Sequence, residues 1–375
     1  LSNTASIDAM VPGVSPPDDP DQDTTPDNNS DTDVDSVALI ADLGITKTDG
    51  LAEFDGLAGA LAMAGDAQQL YVAGSSDNAL GVFDVSPSPV GALSFNSFIR
   101  GGTAGVLGLA GVNDVLLSGD GDHVYATSPS ENSVSTFRRN RSSGALTFVE
   151  LEQNGVFGVT GLAGARAMAM SPDGAHLYVL GGFSNAIAVF ARQTNVAASD
   201  YGRLTFKQSL QNAVGGVDGI ADPVAVSVSP DGKHVYVLGD GTDTIAVFTR
   251  NPSSGSSGFG QLTYSTRYRD GTAGFSGLAG VRSLLINSAG TQVYVLATDS
   301  GNLVRLVRDT STGALTPGEV LTNGLAGNEA GAASVNEAEG LPGTSGLQGA
   351  SRIRWSSDQM QLYVAGAEAN AIVRF

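Results

Sequence analysis

The chain has 375 residues, among them 50 glycines and no cysteine, and its 38 acidic side chains outnumber 19 basic ones for a net charge of −19. The lack of cysteine excludes disulfides, thiolate metal sites and cysteine nucleophiles. A chain this acidic repels nucleic-acid phosphates and anionic lipid headgroups, and no apolar run approaches the ~20 residues of a membrane span, so we expect neither nucleic-acid binding nor a transmembrane segment.

The first 35 residues differ in composition from the rest. They carry nine aspartates, no lysine and no arginine, and are rich in proline, asparagine, serine and threonine. Such a segment cannot bury enough apolar surface to offset the entropy of ordering, so residues 1–35 are predicted to form an extended acidic tail or linker. Because the sequence opens at Leu1 without a signal peptide, we expect a processed chain.

Alternating aspartates in this tail present the oxygen ligands that calcium prefers. Calcium binding is therefore one hypothesis for the tail, and a solvated spacer is the alternative. No other cofactor is predicted. The candidate calcium ligands are Asp19, Asp21, Asp23, Asp27, Asp31, Asp33 and Asp35.

Internal repeats run through the remainder of the chain. The clearest pair is residues 161–192 and 219–250, which share the frame SPDG-x-H-[LV]-Y-V followed by [AT]-I-A-V-F. A large apolar residue follows the central tyrosine of each repeat by twelve positions. The six tyrosines are Tyr71, Tyr125, Tyr178, Tyr236, Tyr294 and Tyr363.

Each repeat predicts four short strands, because stretches of period-two alternation are separated by turns of Gly, Asn, Asp and Ser. In the third repeat these strands, named A to D, are expected at 167–170, 176–180, 186–192 and 203–208. Four antiparallel strands per unit of about 50–60 residues are typical of a β-propeller blade. The sequence therefore predicts an all-β propeller.

The strand count gives a sharper expectation. Six A–B–C sets are present but only five internal D strands, and an unassigned apolar segment, SVALIADL at 36–43, precedes the first set. We expect this segment to complete the C-terminal blade and so close the ring, which removes exposed edges. The prediction is a six-bladed propeller over residues 36–375, and the alternative is a seventh blade donated by another chain.

The repeat frame, together with the G-x-LT-[FY] of the fourth strand, resembles the YVTN and lactonase-like propeller repeats, which include propellers related to 6-phosphogluconolactonase. The resemblance covers residues 50–375. It implies the propeller scaffold and, for activity, hydrolysis of a sugar-acid lactone.

Arginines are the candidate ligand-binding residues. Arg166 and Arg282 lie twelve positions before their tyrosines, and Arg352 and Arg354 lie near the equivalent place in the last repeat. Since strand A is innermost in a propeller, these side chains would ring one mouth of the channel and bind an anion or a carboxylated ligand. The alternative is that each arginine pairs with an aspartate or a backbone carbonyl between blades.

No catalytic motif stands out beside these arginines. The three histidines, His123, His176 and His234, occupy one repeat position and are expected to be equivalent structural residues. The loops between strands D and A form a Gly-rich, apolar face without aromatic platforms, which favours protein packing. The main hypothesis is therefore a non-enzymatic, secreted or cell-surface bacterial propeller that assembles with itself or a protein partner through residues 1–35 and this loop face.

Two alternatives remain open. One is a lactonase-like hydrolase that uses the channel arginines and an Asp or Glu base. The other is an adhesin or ligand-capturing surface protein. The composition is typical of secreted or cell-surface proteins, with a periplasmic location as the alternative.

Overall fold

The computed structural model describes residues 56–88, 90–322, 349–356, 361–366 and 371–374. These residues fold into β-strands and one short 3-10 helix, Asp240–Thr242. Within each sheet, every strand pairs antiparallel with the next strand along the chain.

The described strands form six sheets, numbered in chain order. Sheet 1 contains β1 (Ala60–Gly65), β2 (Gln69–Gly74), β3 (Ala79–Pro87) and β4 (Val90–Arg100). Sheet 2 contains β5 (Asp114–Leu117), β6 (His123–Ser128), β7 (Ser133–Arg139) and β8 (Leu146–Gln153). Sheet 3 contains β9 (Ala165–Met170), β10 (His176–Gly181), β11 (Ala186–Arg192) and β12 (Leu204–Gln211).

The C-terminal half repeats the same order. Sheet 4 contains β13 (Pro223–Val228), β14 (His234–Gly239), β15 (Thr244–Arg250) and β16 (Leu262–Arg269). Sheet 5 contains β17 (Val281–Ile286), β18 (Gln292–Ala297), β19 (Asn302–Arg308) and β20 (Leu315–Thr322). Sheet 6 contains three described strands, β21 (Ala350–Trp355), β22 (Leu362–Gly366) and β23 (Ala371–Arg374).

The turn between the first two strands of sheet 3 shows how the repeat frame dictates local structure. The Gly174 N–H donates to the Ser171 carbonyl at 2.8 Å, and Gly174 has a φ of +67°, which favours glycine. The Ser171 hydroxyl then accepts the His176 N–H at 3.0 Å. The SPDG sequence thus reverses the chain and starts the next strand.

The hydrophobic core lies between neighbouring sheets. Tyr125 of sheet 2 packs in one cluster with Leu177 and Phe190 of sheet 3. Phe190 also meets Phe206 of its own sheet edge to face, with ring centroids 5.7 Å apart. The first strands of consecutive sheets contact one another from sheet 1 through sheet 6, so the first strand is the innermost. The prediction of an all-β, propeller-like fold built from four-stranded antiparallel sheets is confirmed.

The finer prediction about ring closure falls on residues that are not described. The segment 36–43, expected to complete the last blade, lies outside the described residues, as does the tail of residues 1–35. Among the described residues, sheet 6 has three strands where the other sheets have four.

A repeated polar cluster, the inter-sheet clamp, joins neighbouring sheets. In each copy an arginine at the end of a third strand reaches an aspartate, a histidine and a tyrosine of the preceding sheet. Arg250 Nη2 lies 2.5 Å from Asp173 Oδ2 and 3.1 Å from His176 Nδ1, and its Nε donates to the Tyr178 hydroxyl at 2.8 Å. The same three contacts are made by Arg192 and Arg308.

The clamp varies at the ends of the series. Between sheets 1 and 2, Arg139 contacts Asp66 and the amide oxygen of Gln69, which replaces the histidine. In sheet 5, alanine replaces the aspartate and Gln292 replaces the histidine. The Tyr294 hydroxyl accordingly donates to Gln292 within its own sheet, at 2.6 Å.

Candidate active site in the central channel

The first strands of the six sheets line the channel, and the repeat makes their positions comparable. At one level of the channel, each first-strand residue pairs with the second residue after the tyrosine of the next strand. The first-strand residues at this level are Ala62, Asp114, Ala167, Ala225, Ser283 and Arg352. Sheets 2 and 6 therefore carry charged groups where the other sheets carry alanine or serine.

A second level shows the same departure. The first-strand residues that pair with the tyrosines are Ala64, Leu116, Ala169, Ser227, Leu285 and Arg354. Sheet 6 again supplies a charge where the other sheets have apolar or small side chains. Residues that depart from the pattern that builds the fold are expected at functional sites, because function requires side chains that the fold does not.

Asp114 is held between the innermost strands of sheets 2 and 3. Its Oδ2 accepts the Met168 N–H at 2.9 Å, and its Oδ1 accepts the Val115 N–H at 3.0 Å. Asp114 is half-buried, and desolvation raises its pKa to about 6, although both backbone donors and the charges of Arg352 and Arg354 lower it. Asp114 therefore stands as a carboxyl group poised to exchange a proton near neutral pH.

Arg352 and Arg354 supply the positive charges that act on Asp114. Arg352 Nη2 donates to the Leu61 carbonyl of sheet 1 at 3.3 Å, and Arg354 Nη1 donates to the Ile353 carbonyl at 3.1 Å. Both side chains keep solvent-exposed surface. Desolvation nevertheless lowers the pKa of Arg354, and the neighbouring Arg352 charge lowers it further, as expected for two guanidinium groups that share a channel wall.

The other two predicted ligand arginines have aspartate partners. Arg166 of sheet 3 forms an ion pair with Asp222 of sheet 4. Arg282 Nη1 lies 3.9 Å from Asp240 Oδ2. Desolvation raises the pKa of Asp240, and the nearby carboxylates add to this effect while Arg282 opposes it. The structure thus groups Arg352 and Arg354 with Asp114, whereas Arg166 and Arg282 pair with aspartates of a neighbouring sheet.

The histidines do not belong to the channel site. All three are clamp residues, and each accepts a hydrogen bond at Nδ1 from a permanently charged arginine. Burial, followed by the arginine charge, lowers the pKa of His123 and His176 to about 4 and also lowers that of His234. They are neutral at pH 7, in agreement with the structural role expected from their common repeat position.

Two further predictions concern metals and membranes. All seven aspartates proposed as calcium ligands lie in the tail, outside the described residues. Among the residues that are described, no three acidic or histidine side chains are grouped to hold a metal ion. In the same part of the chain, no helix has the length and apolar character required to cross a bilayer.

The loop face carries aromatic side chains that the sequence analysis overlooked. Phe157, at the tip of a loop between sheets 2 and 3, is fully exposed with a φ of +48°. Phe183, in a turn of sheet 3, is 78% exposed. The expectation of a face without aromatic platforms is therefore wrong at these two positions.

Asp114 is the functional candidate that motif searching missed, because it belongs to no short motif. The available signal was positional, since aligning the repeats places an aspartate where four of the other sheets have alanine or serine. Chemically, a carboxylate of raised pKa can remove a proton from water, and two guanidinium groups can stabilise an oxyanion or bind a carboxylate.

Comparison with protein families gives one match. Residues 150–324 match the family described as "Lactonase, 7-bladed beta-propeller". The matched segment contains sheets 3, 4 and 5, in which the clamps are most regular. A search of curated proteins finds no match.

Solved structures share the fold at low sequence identity. The periplasmic gluconolactonase PpgL of Pseudomonas aeruginosa is 22% identical, with a TM-score of 0.53 over 70% of this chain and 69% of its own. A functionally unknown protein of Desulfotomaculum acetoxidans is 13% identical, with a TM-score of 0.58 over 85% and 82%. The β-propeller domain of Cps50 (Swd1) from Myceliophteria thermophila is 12% identical, with a TM-score of 0.56 over 84% and 83%. These likenesses establish the fold alone.

The family match overturns the main functional hypothesis. The interpretation as a non-enzymatic subunit for extracellular assembly and protein binding is wrong, because residues 150–324 match a lactonase family model. That interpretation depended in part on the lack of an acid that departs from the repeat pattern, and Asp114 is an acid that does. Residues 150–324 match the model of the family that the sequence resemblance named, so that resemblance is confirmed over this segment.

Proposed function

We propose that this protein is a lactonase-like hydrolase that opens a sugar-acid lactone in its central channel. Asp114 serves as the general base, and Arg352 and Arg354 bind the substrate and stabilise the oxyanion. The observation that carries the proposal is the Asp114 carboxyl group, whose pKa is raised to about 6 by desolvation while two arginine charges face it. These three residues lie outside the segment that matches the lactonase family, so the family match does not support their roles. The assignment of their roles depends on their own geometry.

The chemistry follows from these groups. The Asp114 carboxylate takes a proton from a water molecule as the water oxygen attacks the lactone carbonyl carbon. The negative charge that develops on the carbonyl oxygen is stabilised by the guanidinium groups. The carbon–oxygen bond of the ring then breaks, and the departing ring oxygen receives the proton from Asp114. The product is a hydroxy acid, and Asp114 returns to its ionised form.

The pKa of Asp114 sets the pH dependence. A general base acts in its deprotonated form, so activity should rise with pH through about 6 and reach a plateau above it. The two backbone N–H donors and the arginines favour the charged form, which keeps the group ionised at pH 7.

Asp114→Asn tests the proposal directly. Asparagine keeps the shape and one acceptor for the backbone donors but cannot take a proton, so kcat for glucono-δ-lactone should fall about 10²–10⁴-fold. The assay is acid release in a pH-stat after subtraction of the uncatalysed rate. Ser283→Ala, at the same channel level in sheet 5, is the matched control and should retain activity.

The same series includes Arg354→Met, for which we expect a 10–100-fold fall in kcat/KM because oxyanion stabilisation is lost. All variants should unfold at the wild-type denaturant midpoint. Wild-type activity that survives unchanged in Asp114→Asn would disprove the assignment of the base. A wild-type protein that hydrolyses no sugar lactone would disprove the proposed function itself.

Ring closure is part of the same proposal. We propose a six-bladed ring in which residues 36–43 add the fourth strand to sheet 6. One support is that sheet 6 has three strands among the described residues, where the other sheets have four. The other is the hydrogen bond from Arg352 to the Leu61 carbonyl, which joins sheets 6 and 1. With one cysteine placed in 36–43 and a second placed in β23, we expect a disulfide to form on oxidation. The chain has no cysteine of its own, so no other disulfide can compete. Failure of every such pair to cross-link within one chain would contradict closure.

Three earlier expectations stay predictions. One is the division into a tail of residues 1–35 and a propeller of residues 36–375, and another is calcium binding by the tail aspartates. The third is the location, expected to be secreted or at the cell surface with the periplasm as the alternative, and of these we favour the periplasm. It is supported by the acidic, cysteine-free composition and by the likeness to a gluconolactonase described as periplasmic.

A further inference from the structure

An exposed aromatic ring stands where the innermost strand of sheet 3 begins. Phe183 lies in the turn between β10 and β11, and a Cβ atom at Gly164, the residue before β9, would come within 2.9 Å of its ring. Most of the ring surface stays in solvent. The residues at this repeat position in the other sheets, five places after the tyrosine, are small or polar: Ser76, Ser130, Gly241, Asp299 and Glu368.

One exposed ring implies no ligand by itself, so the groups beside it carry the argument. The Arg166 guanidinium rests against Gly182, the residue next to Phe183, where any Cβ atom would collide with it. The same guanidinium forms an ion pair with Asp222 of sheet 4. Both side chains keep exposed surface, and the contact uses one of the five N–H groups of the arginine. Donors and acceptors beyond that contact are therefore available to a ligand.

Asp222 also departs from the repeat. The other sheets have glycine at this position before the first strand, namely Gly59, Gly111, Gly164, Gly280 and Gly349. The φ of Asp222 is +46°, in the left-handed region that favours glycine. Its N–H donates to the side-chain oxygen of Asn185 of sheet 3 at 2.7 Å, which fixes the residue in place. An aspartate held in this strained conformation is expected where function requires the carboxylate.

An aromatic face beside a guanidinium and a carboxylate matches the chemistry of a sugar ring. The C–H bonds of a pyranose form an apolar face that stacks on an aromatic ring. Its hydroxyl groups accept hydrogen bonds from a guanidinium and donate them to a carboxylate. No other common ligand of a lactone hydrolase combines an apolar face with so many hydroxyl groups.

Strand β9 connects this group to the proposed base. The Met168 N–H donates to Asp114 at 2.9 Å. Gly164, beneath the Phe183 ring, is four residues from Met168, which is about 13 Å along a strand. A disaccharide spans such a distance and a single hexose does not. A substrate that reaches both places therefore carries a second sugar.

We propose that Phe183, Arg166 and Asp222 form a saccharide subsite at the rim of the channel, and that the hydrolase acts on lactones carrying a glycosidically linked sugar. This inference rests on the proposed function. The lactone ring reacts at Asp114 while the second sugar stacks on Phe183 and hydrogen-bonds to the Arg166–Asp222 pair. Because these contacts are the same before and during the reaction, they lower KM and leave kcat little changed.

The kinetic test compares two lactones on the full chain. Wild type should show a kcat/KM about tenfold higher for lactobiono-δ-lactone, a disaccharide lactone, than for glucono-δ-lactone. Phe183→Ala should remove this preference, mainly through KM, and Phe183→Trp should keep it because an aromatic face remains. Phe157→Ala is the matched control, since Phe157 is another exposed phenylalanine of the loop face and alanine already occupies its repeat position at Ala104 and Ala273. It should keep the preference.

A second readout does not depend on activity. Lactobionate and gluconate are the hydrolysis products of the two lactones, and isothermal titration calorimetry measures the Kd of each. Lactobionate should bind wild type about tenfold more tightly than gluconate, and Phe183→Ala should abolish the difference. Asp222→Asn, which tolerates the left-handed backbone but has only one acceptor oxygen, should reduce it.

Several outcomes would overturn the inference. A disaccharide preference that survives in Phe183→Ala, or that Phe157→Ala removes equally, would show that the ring is not part of a subsite. Light scattering that finds wild type self-associating, and Phe183→Ala monomeric, would show that a second copy of the chain covers the ring.

The two readouts separate the inference from the function on which it rests. A protein that binds lactobionate through Phe183 but hydrolyses no lactone would refute the proposed function and leave the saccharide subsite in place. An enzyme that is active on glucono-δ-lactone but shows no preference for the disaccharide in either readout would refute the subsite and leave the hydrolase standing.

Discussion

The inter-sheet clamps and the channel site are both built from aspartate and arginine, but the clamps follow the sequence repeat and the channel site does not. The clamp recurs between successive sheets at the same repeat position, as in the Asp173–Arg250 pair and its equivalents. Asp114, Arg352 and Arg354 are the only charged first-strand residues at the two channel levels among the described residues. In a repeat protein, polar residues that follow the repeat hold the fold together, whereas polar residues that interrupt it are candidates for chemistry.

Their electrostatics differ in the same way. In the clamps, hydrogen bonds and the arginine charge outweigh desolvation and lower the pKa of the aspartate, to about 2 for Asp120. In the channel, desolvation is stronger than the arginine charges and raises the pKa of Asp114 to about 6. A clamp carboxylate is therefore locked in one protonation state at pH 7, while the channel carboxylate is able to change state.

The largest expected effect on stability comes from breaking a clamp. Arg250→Met removes a buried guanidinium that joins sheets 3 and 4, and it leaves the Tyr178 hydroxyl without that donor. We expect the free energy of unfolding, measured by urea denaturation, to fall by about 3 kcal/mol. Lactone turnover at 25 °C should be unchanged in the fraction that remains folded.

Arg141→Met is the control for this measurement. Arg141 pairs with Asp122 at 2.6 Å, but its side chain is 58% exposed, so its loss should lower the free energy of unfolding far less than the loss of Arg250 does. Equal losses in the two variants would show that the clamp is no stronger than a surface ion pair. Stability measurements would then no longer support the distinction between polar residues that hold the fold together and polar residues that serve chemistry.

A smaller effect should appear in the pH dependence of stability. The folded-state pKa of His176 is lowered to about 4, so between that value and its ordinary 6.5 the unfolded chain binds a proton that the folded chain does not. Stability should therefore fall as the pH drops from about 6.5 toward 4. In His176→Gln, which copies the Gln69 found in sheet 1, about 1 kcal/mol of this loss should disappear.

Urea denaturation at pH 7.5, 6.0, 5.0 and 4.5 measures this difference. Lys233→Gln, an exposed change next to a clamp histidine, should keep the wild-type slope. A His176→Gln protein that loses as much stability on acidification as wild type would mean that burial and the arginine charge do not hold the clamp histidine neutral.

The local structure around the clamp could be predicted from the sequence, but its function of joining two sheets could not. The SPDG-x-H-x-Y frame indicated the turn at Ser171–Gly174 and the strands that follow it, because turn chemistry and period-two alternation are local. Arg250 follows its own tyrosine by fourteen positions, a spacing that recurs in four repeats. Its partners Asp173 and His176 are more than seventy residues away, so their pairing appears only when two sheets pack together.

In the channel site, the difference between what the sequence predicts and what only the packed structure shows is larger. Arg352 and Arg354 were predicted to be ligand-binding residues from their repeat position, together with Arg166 and Arg282, which instead meet aspartates of adjacent sheets. Asp114 was not selected, because a single aspartate in a chain with many acids carries no signal of its own. Its raised pKa comes from desolvation, which depends on the atoms around it and not on its neighbours in the chain.

The sequence by itself determined the repeat, the strands and the propeller-like architecture, because these depend on alternation, turn residues and spacing that are read within one unit. Only the tertiary structure decided which charges meet. It brings Asp114 of sheet 2 under the influence of the Arg352 and Arg354 charges of sheet 6, across more than two hundred residues, and it partly desolvates the carboxyl group. Electrostatic interactions depend on distance and solvation in space, and neither is encoded by position along the chain.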